Sequence, residues 1–155
     1  MYFGKINNLY QYAGCGLFNV FLKNGYELVS TNYGEGVTIH NLDALHEPIG
    51  HAIVESASAL NGAEFRFLRV ELGLTQEALA LMIGKDVQSI ARCEKGVSKR
   101  VDPAAERILR IVYHERFKQP GTIEALLRKV EASAPAPRKF IARESKSAWA
   151  AKAVA

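Results

Sequence analysis

The chain has 155 residues, 48% of them hydrophobic, enough to bury a core in one ordinary domain or two small ones. Its net charge of +4 is unevenly spread: residues 1–60 sum to −3, residues 61–132 to +3 and residues 133–155 to +4. Two cysteines, Cys15 and Cys93, exclude a disulfide framework, and no apolar run is long enough for a membrane span. The first residues lack the basic start and apolar core of a signal peptide, so a cytoplasmic setting is expected.

Residues 1–18 are aromatic and glycine-rich and carry no assignable pattern. Val20 and Leu22, the pair Asn24-Gly25, and then Tyr26, Leu28 and Val29 predict a hairpin, because Asn-Gly between alternating apolar residues favours a two-residue turn. A third short strand is predicted at Val37–His40. A helix capped by Asn41 follows to about Ser56, with Leu42, Leu45, Ile49, Ile53 and Val54 as its stripe. Pro48 interrupts that stripe and either kinks the helix or splits it, with a second start near Pro48. Residues 1–60 thus read as a small α+β domain, a module for dimerisation, partner binding or ligand sensing. A short polar linker closes it at Ala57–Gly62.

From there the period becomes helical. Ala63–Glu71 turns Phe65, Leu68 and Leu72 inward. Thr75–Ile83 places Ala78, Leu79 and Met82 on one face, and Thr75 can cap it. Asp86 can cap the next helix, which runs to about Glu94 with Ile90 and Cys93 inward and Gln88, Ser89 and Arg92 outward. Gly73, Gly84 and Gly96 follow apolar or helical runs, where a left-handed residue commonly ends a helix. Asp102-Pro103 starts another helix, with Ile108, Leu109, Ile111 and Val112 as its apolar side. After Pro120-Gly121 a last helix, Thr122 to about Glu131, shows Ile123, Leu126, Leu127 and Val130. Residues 133–155 open on an Ala-Pro-Ala-Pro spacer and are rich in alanine and basic charge. They read as a flexible or weakly helical basic tail, either a source of non-specific attraction to phosphate or a neutral appendage.

A buried helix, a glycine turn and a polar helix are the sequence form of a helix-turn-helix. Leu68, Arg69, Gly73, Leu74, Thr75, Gln76, Leu79, Ala80, Gly84, Ile90, Arg92, Glu94 and Gly96 resemble, without a gap, the pattern of the XRE family of lambda-repressor/Cro-like DNA-binding domains. The ending Arg92-Cys93-Glu94-Lys95-Gly96 and the proline-started helix after it resemble the C-terminal domain of MqsA-type antitoxins. The resemblance implies a mainly α chain: a five-helix lambda-repressor-like domain over 61–132, preceded by the small α+β domain and followed by the tail.

It also implies roles. Gln88 and Arg92 would touch bases, and their chemistry agrees: an amide suits the N6/N7 edge of adenine and a guanidinium fork suits O6/N7 of guanine. Val87 beside them can meet a thymine methyl, and Ser89 a base or a phosphate. Gln76 would open the first helix on a phosphate, with Lys95, Lys99 and Arg100 flanking the groove. Arg69 and Glu94 would pair inside the fold as a structural tie. Asp86 departs from the family, being acidic where a phosphate contact is common; it reads as a cap.

MqsA-type antitoxins bind zinc through N-terminal cysteines, but this chain has only Cys15 there, and His46 and His51 are poorly spaced for one metal. No metal or cofactor is expected. Neither a nucleophile elbow nor a phosphate loop is present, and Gly14-x-Gly16 and Gly34-x-Gly36 stand alone, so an enzyme is not expected. The expected function is a sequence-specific repressor acting as a homodimer on a palindromic operator in double-stranded DNA, its seam formed by the last two helices or the N-terminal domain. The alternative is an antitoxin of a type II toxin–antitoxin system, whose acidic N-terminal region binds a basic toxin while the protein autorepresses its operon.

Overall fold

Residues distant in sequence meet in the first of two units. The computed structural model describes residues 5–6, 8–96, 100–130 and 138–154. Its chain divides into residues 1–49 with 138–155, and residues 50–137.

The first unit is built on a five-stranded sheet in the order β1 (Lys5–Ile6), β2 (Leu9–Gln11), β3 (Val20–Leu22), β6 (Lys139–Ser145), β7 (Ala148–Val154). Pairing is antiparallel except between β3 and β6, where Val20, Phe21 and Leu22 run parallel to Phe140, Ile141 and Ala142. β4 (Tyr26–Thr31) and β5 (Gly34–Ile39) form a separate antiparallel hairpin closed at Asn32-Tyr33. Val20, Leu22, Phe140 and Ala142 are fully buried, with Leu17 and Trp149 beside them in the core.

Two expectations fail here. The Asn24-Gly25 pair does not make a hairpin, since β3 pairs with β2 and β6 and never with β4. All three β3 residues are buried, so the strand is central and its partners lie on both sides. Asn24 instead continues the pairing with β6: its Nδ2 donates to Glu144 O at 3.0 Å and its Oδ1 accepts from Glu144 N at 2.6 Å. Nor are residues 138–154 a flexible tail. They form the β6–β7 hairpin, turned at Lys146-Ser147, both with positive φ as a type I′ turn requires. Alone the segment has too few apolar residues to fold; beside β3 it buries Phe140 and Trp149.

Asn41 does not cap a helix. It sits at φ 48° before a short 3-10 turn, Leu42–Ala44, and makes no capping bond. Its Nδ2 donates to Ser147 O at 3.0 Å instead. α1 (His46–Glu55) then starts afresh with Pro48 in its first turn, where a missing N–H costs nothing. The division between the units falls inside α1, between Ile49 and Gly50.

In the second unit, α2 (Gly62–Glu71) begins with a full capping box: Asn61 Oδ1 accepts from Glu64 N at 2.9 Å, and Glu64 Oε1 from Asn61 N at 3.2 Å. α3 (Gln76–Ile83) is capped by Thr75, α4 (Val87–Lys95) by Asp86, α5 (Pro103–Arg116) by Asp102 and α6 (Ile123–Lys129) by Thr122. Gly84 and Gly96 end α3 and α4 at φ 76° and 68°, as a left-handed C-cap needs.

The buried face of α5 is not the apolar stripe that its sequence predicts. Ile108, Ile111 and Val112 are only half-buried, whereas Glu106, Arg110, Tyr113 and His114 are buried with Leu109. Arg110 is 0% exposed and caps the end of α1, donating to Val54 O at 2.6 Å and to Ser56 O and Ser58 O at 2.7 Å. Glu106 neutralises it at 2.9 Å and also accepts from Leu60 N. A buried cation is tolerated because carbonyls at and just beyond the helix end, with the Glu106 carboxylate, accept its donors. Met82 is 48% exposed and Ile123 38%, so neither is the core residue its spacing suggested.

Candidate nucleic-acid interface

α4 owes its position to its caps and to one ionic knot. Asp86 Oδ1 accepts from Gln88 N at 3.1 Å at its start. At its end Glu94 receives Arg69 from α2 in a two-pronged pair, the second prong Nη2–Oε2 at 3.2 Å. Arg69 Nη1 also donates to Leu74 O at 2.7 Å, and Gln76 Nε2 to Glu94 Oε2 at 2.8 Å. The three helices are thus pinned at one point. Gly62 completes the fit, because a Cβ there would lie 2.4 Å from Cys93 O, so α2 meets the α4 backbone only with glycine at that place.

With Ile90 and Cys93 buried beneath, Gln88 and Arg92 stand exposed one turn apart, and Lys95 extends the same row. Val87 and Ser89 are half-buried at its border. This row offers an amide, a guanidinium fork and an ammonium on a rigid helix, a donor and acceptor set that matches base edges and phosphates.

The other residues expected to hold phosphate are placed differently. Gln76 spends its amide N–H on Glu94, so its side chain belongs to the knot. Arg100 is turned inward, its Nη2 3.6 Å from the buried Glu106 carboxylate. Lys99 lies outside the described residues. Lys85 was missed: it is exposed in the turn before α4, 3.8 Å from Asp102, with its backbone N–H closing α3 on Ala80 O. The sequence signal for it is a lysine directly before the cap of the polar helix, Asp86.

Residues 65–112 match the Helix-turn-helix family model. The match supports the likeness of this segment to XRE-type helix-turn-helix domains. The match runs from within α2 to most of α5, and likeness to this family suggests a DNA-binding transcription regulator. No curated protein and no solved structure matches the chain. Among the described residues no helix is long and apolar enough to cross a membrane.

Proposed function

We propose that the protein is a sequence-specific DNA-binding repressor that acts as a homodimer on a palindromic operator. One observation carries the reading: Gln88 and Arg92 are exposed one turn apart on a helix fixed at both ends, within a helix-turn-helix segment. Gln88 and Arg92 read bases, with Val87 and Ser89 at the margin, and Lys95 and Lys85 hold phosphates. Arg69 and Glu94 are structural. A second copy follows from the size of the module, since one recognition helix buries too little surface for tight operator binding. Two such helices about 34 Å apart meet successive major grooves on one face of the duplex. The half-buried Ile108, Ile111 and Val112 of α5 and the exposed Ile123 are candidates for the seam.

The antitoxin alternative leaned on an acidic N-terminal region. Residues 1–49 carry two Lys/Arg and four Asp/Glu, but residues 138–155, which share their unit, add five and one. The unit is therefore mildly basic, and charge attraction to a basic toxin loses its basis.

The test starts with duplexes selected from a random pool by the full-length protein. Arg92→Ala should then lose about 1–3 kcal/mol on the selected duplex and little on random DNA. Equal small losses on both would count against base reading.

A further inference from the structure

The register of β6 and β7 sorts their charges by face. Lys139 lies opposite Val154, Ile141 opposite Lys152, and Arg143 opposite Ala150, and directly opposed residues share a face. Lys139, Arg143 and Lys152 are therefore on one side of the sheet, all three exposed. Ser145, Ala148 and Ala150 complete that side, while Glu144, the hairpin's single carboxylate, points to the other, with Oε2 3.7 Å from His40 Nδ1. Each cation thus faces an apolar neighbour where a cross-strand carboxylate would ordinarily stabilise the pair. None of the three forms an ion pair among the described residues. Lys139 lies against the Phe21 ring, its Nζ 5.4 Å from the centroid.

Lys152 is diagonal to both Lys139 and Arg143, at about 7 Å, and those two are about 13 Å apart along the strand. Lys146 stands exposed at the turn beyond them. A triangle of like charges on a surface kept low by alanines repels itself, and a partner with closely spaced negative charges offsets that repulsion. Duplex DNA carries one such charge per about 1.7 Å of its axis.

We propose that the β6–β7 face bearing Lys139, Arg143 and Lys152 binds the phosphate backbone of DNA. This rests on the DNA reading above and deepens it: base recognition belongs to α4, and the sheet contributes sequence-independent attraction. The sheet then raises affinity for any duplex, shortening the search for the operator, with no discrimination of its own.

The experiment compares the full-length protein with the triple variant Lys139→Gln, Arg143→Gln, Lys152→Gln. Binding to selected and random duplexes is titrated across salt concentration. Each phosphate contact contributes about 0.9 to the slope of log K against log salt, so the triple variant should lose about 2 to 3 from it. Its affinity at low salt should fall at least tenfold on both duplexes alike. The charge-conserving Lys139→Arg, Arg143→Lys, Lys152→Arg protein should keep the slope. Trp149 fluorescence reports whether the sheet is intact; if the triple variant loses it, the single substitutions carry the test, each expected to remove about 0.9. An unchanged slope, with Arg92→Ala still losing the selected duplex alone, overturns the sheet inference and leaves α4 as the reader. A wild-type protein that binds no duplex at low salt overturns both.

Discussion

The two units are held together by different means. In the helical unit each of α2 to α6 carries its own N-cap, and among the described residues the ties between helices join positions at most 74 apart, such as Arg69 to Glu94, Arg110 to Val54 and Lys129 to Glu55. In the sheet unit the central pairing joins Val20 to Phe140, and Asn24 reaches Glu144 across 120 positions. The helical unit is assembled from locally specified parts. The sheet unit has a middle strand of three residues that pairs locally with β2 but acquires its second partner only when the far end of the chain returns. Closing so long a loop costs entropy before any contact compensates it, so the sheet should form later and depend on its last strands.

The harshest way to break this comparison is to remove residues 138–155. The sheet unit would lose one of the two partners of β3, exposing Val20 and Leu22, both fully buried in the intact chain. Hydrogen exchange should rise to unprotected rates across residues 8–40, including Lys23, whose amide donates to Ala142 O. Amides of α2 to α4 should keep their protection. If they lose it as well, the two units do not differ in the way described.

Next in size is Arg110→Met, which strikes the helical unit. It takes from buried Glu106 its close, hydrogen-bonded cation, leaving Arg100 at 3.6 Å, and removes the donor from three carbonyls at and just beyond the end of α1. A loss of about 3–5 kcal/mol is expected. Adding Glu106→Leu should recover only part of it, because the carbonyls of Val54, Ser56 and Ser58 remain without Arg110. The readout is denaturant unfolding followed at 222 nm for helices and by the single tryptophan, Trp149, for the sheet. The helical transition should move far more than the tryptophan transition. Full recovery in the double variant would show that the carbonyl contacts contribute little.

The same contrast explains what could be read from sequence. Thr75, Asp86, Gly84 and Gly96 act on neighbours within a few residues, so their roles as caps were legible, and with them the exposed row of Gln88 and Arg92. Arg110 was not, because arginine four residues after a glutamate on a helix is ordinarily a solvated pair, and nothing nearby announces Val54 as its acceptor. β6 and β7 were not legible for a related reason: alanine-rich strands alternate too weakly in polarity, and the strand they need lies at the other end of the chain. Asn24-Gly25 misled because its local preference for a turn was overruled by a tertiary use of the asparagine amide.

The smallest effect bears on the recognition helix itself. Asp86 places a negative charge at the start of the helix proposed to enter the groove, and it also caps that helix through Gln88 N. Asn caps as well as Asp, so Asp86→Asn should keep the hydrogen bond and lose only the charge–dipole attraction, about 0.3–1 kcal/mol. Asp86→Ala loses the cap too and should cost about 1 kcal/mol or somewhat more. On DNA the two variants should behave alike, both binding random duplex more tightly than wild type at low salt because one repulsive charge is gone. Tighter binding by Asp86→Asn with stability almost unchanged would show that the carboxylate restrains affinity while its oxygen shapes the helix. If binding weakens instead, Asp86 touches DNA as an acceptor, for example from a cytosine amino group, and belongs with Gln88 and Arg92 among the base-reading residues.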